Sequence, residues 1–169
     1  PDTEALKQFW VEKLGDDAAA VEYPEGGDLQ ALIRAKTMKR GGVGYVQPGS
    51  GSFPTMSDMN AFALQCGAIP ALTWLDGTSD GEACIGELIE IAMASGVAAV
   101  NIIPDRNFTS GVKDEKLKNL YDIVERAEAL HLPVLVGTEM NSPGNKFVDD
   151  CDSDELKPLM PVFLKGTHI

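Results

Sequence analysis

The chain has 169 residues, 44% of them hydrophobic and 24% charged, which is enough for one domain with a core of its own. Its formal net charge of −12 excludes nucleic-acid binding without a cation, and no apolar run is long enough to span a bilayer. The opening PDTEALKQFWVEKLG lacks the basic and apolar regions of a signal peptide, and three cysteines with no C-x-x-C pair predict reduced thiols in the cytoplasm.

A first helix is predicted over residues 3–14, with Leu6, Phe9, Trp10 and Leu14 on one face. Asp28 is expected to cap a second helix, striped by Leu29, Leu32 and Ile33 and ended by Gly41. VGYVQP then reads as a short strand, and the loop GSGSFPT leads to a third helix whose face is Met59, Phe62, Ala63 and Cys66. IPALTWL is the second strand. The helix after it runs from about Gly81 to Ser95, with Cys84, Leu88, Ile91 and Ala92 in line; Cys66 and Cys84 read as packing residues. VAAVNIIP is a third, doubly buried strand. Residues 114–130 carry the strongest helical pattern, and His131 at its end is expected to serve the helix C-terminus. LPVLVGTEM is the fourth strand and PVFLKGTHI a candidate fifth. DDCDSDE reads as a solvated acidic turn, since it lacks the Gly and Glu of a calcium loop.

Strands alternating with helices predict βαβ units and a parallel sheet. Two architectures fit: part of a (β/α) TIM-like barrel, or an open doubly wound sheet. The chain begins without Met and stops on its last predicted strand, so the expectation is a single α/β domain over 1–169 or a fragment of a barrel. In either architecture the C-terminal strand ends converge on one rim. That rim would collect Gln47, the Thr73–Asp76 corner, Asn101 to Asn107, Glu139 with Asn141, and His168. Glu139 is the sharpest of these, because a carboxylate closing an apolar strand has to be hydrogen-bonded, paired or metal-bound.

From Ala71 onward the order of these signals resembles the opening of the PHP (polymerase and histidinol phosphatase) family. The resemblance rests on the Ser79-Asp80-Gly81 turn, on GVAAVNIIPDRN with Asp105 and Asn107, on PVLVGTE ending in Glu139, and on KGTHI with His168. It implies a distorted (β/α)7 barrel and a metal-dependent hydrolase acting on a small anionic, phosphoester-like molecule. The resemblance places Glu139 and His168 at metal positions; in a hydrolase these two, with Asp76 or Asp105 and residues from a further segment, would hold one divalent Zn, Mn or Fe ion. Glu139 and Asp105 would be the catalytic carboxylates, and Arg106, Asn107 and Asn141 would contact substrate. Three positions depart from the family pattern. Thr73 and Leu75 stand where the first paired histidines belong, and Arg106 stands where the second motif has histidine. Leu75 and Arg106 offer no lone pair to a metal.

The departures support an alternative: a degenerate, non-catalytic barrel that binds a metabolite or a partner subunit, with Arg106 paired to a rim carboxylate. A metal-independent aldolase or isomerase using Glu139 as base ranks last. Lys165 is its one candidate lysine, since Lys116 and Lys118 fall on a helix surface where solvated charge is the default. A partial parallel barrel leaves strand edges open, which predicts a homo-oligomer or cover from a further segment of a longer chain.

Overall fold

The computed structural model describes residues 2–21, 27–108, 113–140 and 147–168. The chain divides into two compact units, Pro1–Phe53 and Pro54–Ile169.

The first unit holds α1 (Thr3–Leu14), a 3-10 turn (Asp16–Ala20) and α2 (Gly27–Thr37). Asp2 caps α1 by accepting a hydrogen bond from the Glu4 amide at 3.1 Å, and Leu14 of α1 and Ala18 of the 3-10 turn are buried. Lys36 pairs with Asp17 at 2.7 Å, tying α2 to the turn. Asp28 lies inside the first turn of α2 rather than before it. The expected strand VGYVQP does not form. The Val43 amide bonds to Lys36 O at 3.2 Å and the Gly44 amide to Thr37 O at 2.8 Å, so this segment folds back to satisfy the last carbonyls of α2. A backbone spent on a helix end is not free for a sheet ladder, and Val43 and Val46 stay exposed.

The second unit carries α3 (Met56–Gln65), β1 (Ala71–Trp74), α4 (Asp80–Ala83), α5 (Ile85–Ala94) and β2 (Ala99–Ile102). A 3-10 turn (Pro104–Phe108), α6 (Lys113–Ala129), β3 (Val134–Val136), a second 3-10 turn (Lys157–Leu159) and α7 (Met160–Gly166) follow. The three strands form a parallel sheet in the order β1-β2-β3. Its register aligns Leu72, Val100 and Val134 across the sheet, and Trp74, Ile102 and Val136 beside them. Residues alternate in facing, so these six share one face. Onto that face pack Ile89 of α5, Leu120, Ile123, Val124 and Ala127 of α6, and Phe163 of α7. Each large apolar side chain fully buried there contributes about 1.5–3 kcal/mol. The opposite face presents Thr73, Asn101 and Leu135 in one row, exposed or half-buried.

Several expectations change in this unit. The helix predicted over Gly81–Ser95 breaks at Cys84, whose φ of −97° and ψ of 46° are not helical. Beyond the break the helix rotates, so Ile85, Ile89 and Ala92 face inward while Ile91 and Cys84 are exposed. Cys66 is exposed as well, as are Met59 and Phe62 on the predicted face of α3. The candidate fifth strand is the helix α7, with Pro161 in its first turn, the position proline favours. Phe163 and Gly166, one helical turn apart, are its buried positions. An apolar run this short fits either period, and contact with β3 decides it. No helix among the described residues is long and apolar enough to cross a membrane.

Candidate functional site

The strand ends do converge, and each polar group there is positioned by local chain chemistry. After β1 the chain turns at Gly77, with a φ of 76° that favours glycine. A side chain at Gly77 would also strike Asn119, whose atoms lie 2.6–2.8 Å from the place of a Cβ. Ser79 then caps α4, accepting from the Glu82 amide at 3.3 Å. Glu82 reaches back to accept from the Leu75 amide at 2.6 Å and the Gly77 amide at 3.2 Å. The Ser-x-x-Glu spacing is that of a helix-capping box, but here the Glu82 carboxylate takes the strand-end amides and, at 3.2 Å, the Ser79 hydroxyl. The Ser-Asp-Gly turn is thus occupied in building its own corner.

Asp76 is the buried carboxylate of that corner. Its Oδ2 meets Lys116 Nζ at 2.9 Å, both side chains being 12% exposed. Its Oδ1 accepts from the Thr78 amide at 3.1 Å and the Thr78 hydroxyl at 2.6 Å, while Asn119 donates to the Asp76 carbonyl at 3.1 Å. Burial pushes the Asp76 carboxyl up. The hydrogen bonds from Lys116 and Thr78 and the lysine's charge outweigh it, leaving the group below the usual carboxylate range.

The turn after β2 supplies three neighbours. Asn107 is fully buried, and its amide nitrogen faces the carbonyls of Leu75 at 3.4 Å and of Ile103 and Pro104 at 3.3 Å. It pins the end of β1 to the end of β2. The Asp105 amide donates to Asp149 Oδ2 at 3.0 Å. Arg106 forms a salt bridge and hydrogen bond with Glu139, which follows β3. Both residues of this pair are half-buried.

The structure therefore brings Asp76, Asp105, Arg106, Asn107 and Glu139 to the strand-end rim. His168 is elsewhere. It follows α7, whose Lys165 pairs with Glu128 in the last turn of α6 at 2.9 Å and whose Gly166 abuts Val134, the first residue of β3. Glu139 lies beyond the other end of that strand. Asn141 lies outside the described residues. Gln47 lies in a loop of the first unit, because its expected strand is absent.

The implied metal does not fit this arrangement. Asp76 is engaged by Lys116 and Glu139 by Arg106, so a cation already faces each candidate carboxylate. Among the described residues no three His, Cys, Asp or Glu side chains are grouped to hold an ion.

Two rim residues escaped the sequence reading. Lys116 was expected in solvent, yet its place at the head of α6, beside the apolar stripe of Leu117 and Leu120, is the signal that aims it at the rim. Asp149 was expected in a solvated acidic turn, but it is only 5% exposed and receives the Asp105 amide. Nothing in the spacing of DDCDSDE distinguishes it from Asp150 or Asp152, which are exposed.

Fold and rim together define a mixed α/β protein whose parallel sheet ends in internally paired charges. Comparison of the chain with protein-family models, with curated proteins and with solved structures finds no match.

Proposed function

We propose that this chain is a non-catalytic binding unit built as an arc of a (β/α) barrel, related to PHP-type hydrolases but with the metal replaced by a protein cation. The observation that carries the reading is the Arg106–Glu139 pair. An arginine lies against the carboxylate that the resemblance assigns to the metal, and arginine keeps its proton in proteins. The Asp76–Lys116 pair repeats the arrangement at the neighbouring strand end. The barrel arc is supported by parallel strands in sequential order and by the core that α5, α6 and α7 build with one face of the sheet.

A small anionic ligand has to displace a carboxylate from each of these rim cations before it can bind there. A partner protein needs no such displacement, and we assign the binding role to a partner rather than to a metabolite. The three cysteines are all free thiols, which supports a cytoplasmic setting.

The test is metal content per chain by mass spectrometry, on protein purified without chelator or nickel, together with hydrolysis of p-nitrophenyl phosphate. The expected result is no stoichiometric Zn, Mn or Fe and no turnover above buffer. One metal ion per chain that disappears in Glu139→Gln, with phosphoester hydrolysis, would instead establish the metal-dependent hydrolase.

A further inference from the structure

Among the described residues the sheet ends at β3, and its far edge keeps the form of a ladder that can continue. Val100 donates to the Pro133 carbonyl at 2.9 Å and Gly137 donates to the Ile102 carbonyl at 2.8 Å. Amides alternate in direction along a parallel strand, so those of Val134 and Val136 point away from β2. Among the described residues no strand takes that side. At Val134 the edge is closed by α7, where a Cβ on Gly166 would stand 1.9 Å from the Val134 carbonyl oxygen. Beyond it the edge opens. Val136 is 39% exposed and borders a cavity of about 290 Å³ between β3 and α7, walled by Met160, Phe163 and Leu164 and reaching Cys151. Proteins usually protect such an edge with lysine, proline or a bulge, and Val134-Leu135-Val136-Gly137 has none of these.

Charge decides what fits. Burial pushes the Cys151 thiol up, and the carboxylates of Asp149, Asp152, Asp150 and Asp105 add to that effect, so the cavity mouth lies in a field of negative charge. Asp150 and Asp152 are exposed there. A second copy, itself at −12, would bring like charge to like charge; a basic segment meets its complement.

We infer that the β3 edge and the adjoining cavity bind a basic, extended segment of a partner protein, which adds as a further strand, seats an apolar side chain against Met160 and Phe163, and sets lysine or arginine toward Asp150 and Asp152. Strand addition draws affinity from main-chain hydrogen bonds and specificity from alternate side chains. The recognised pattern is therefore alternating apolar and basic residues. This deepens the binding role proposed above and rests on it.

The test uses the full chain and a short fluorescent peptide of alternating valine and lysine, read by anisotropy. Saturable binding is expected. N-methylation of alternate peptide amides should weaken it about tenfold or more, because main-chain donors carry strand addition. Val136→Pro should do the same, since it removes only an amide directed away from the ladder, the position where an edge strand tolerates proline. Exchanging lysine for glutamate, raising the salt, or Asp150→Asn with Asp152→Asn should each weaken binding as well. Should Val136→Pro fail to fold, the N-methylated peptide on the unaltered chain decides the same point. Equal affinity for the glutamate or N-methylated peptide overturns the inference, as does no binding. Dimers in sedimentation that exclude the peptide also overturn it and assign the edge to a second copy. The two readings fail separately: a metal-loaded, phosphoester-cleaving chain refutes the binding role, whereas a metal-free chain that ignores the peptide refutes only the edge.

Discussion

Lys116→Met isolates the Asp76 carboxylate and measures what the buried pair at the end of β1 is worth. The ions meet at 2.9 Å with both side chains 12% exposed. At an effective dielectric near 20 their gross attraction is about 5–6 kcal/mol, most of it cancelled by the cost of desolvating both. Removing one partner from a fully buried pair costs about 3–5 kcal/mol, because the remaining charge is left uncompensated. Asp76 keeps its two hydrogen bonds from Thr78, so the expected loss is smaller, about 2–3 kcal/mol. In a chain of this size that lowers Tm by about 5–10 °C. The pH dependence follows from the direction of the shift. The folded Asp76 carboxyl lies below its unfolded value, so its contribution is complete above about pH 4 and is lost as pH falls through the folded value. Thermal unfolding by circular dichroism should show the full penalty at neutral pH and a shrinking one in acid. A variant that melts with the parent protein at neutral pH, or whose deficit persists undiminished in acid, would refute the assignment of Lys116 to Asp76.

Gly166→Ala should destabilise the second unit by about 1–3 kcal/mol, read as a lower urea midpoint, because the added methyl meets the Val134 carbonyl and α7 has to shift. An unchanged midpoint would mean that α7 does not sit against the sheet edge. Asn107→Asp should cost about 3 kcal/mol near neutral pH, since it sets a carboxylate oxygen against the carbonyls of Leu75, Ile103 and Pro104 with no donor in place. Asn107→Ser should cost less in the same urea titration, and the reverse order would remove Asn107 from its place between the strand ends.

Local chemistry made much of this protein legible. The apolar runs at Ala71–Trp74, Ala99–Ile102 and Val134–Val136 declare themselves as strands because each is short, apolar and bounded by turn residues. The period of Leu117, Leu120 and Val124 marks α6 for the same kind of reason, and His131 ends it in a left-handed conformation, with a φ of 58°. The convergence of Asp105, Arg106, Asn107 and Glu139 followed from the parallel order of strands that those runs imply.

What the sequence could not hold is partner choice across distance. Pairing of Arg106 with a rim carboxylate was legible, but that the carboxylate is Glu139, and that Lys116 turns from solvent to Asp76, follows from the sheet register, which sets which strand end faces which helix. Residues 43–44 turn back onto α2 because orphan helix carbonyls claim their amides, and that contest is settled only when both segments are in place. Met160–Gly166 is helical because Phe163 and Gly166 fit against β3 from one face, a contact that no period in seven residues encodes. By itself the sequence determined where chain segments become strands or helices wherever a local period was long or a turn sharp. The tertiary structure alone decided which charges neutralise one another and which strands lie at the sheet edges among the described residues, because burial and register exist only once distant segments meet.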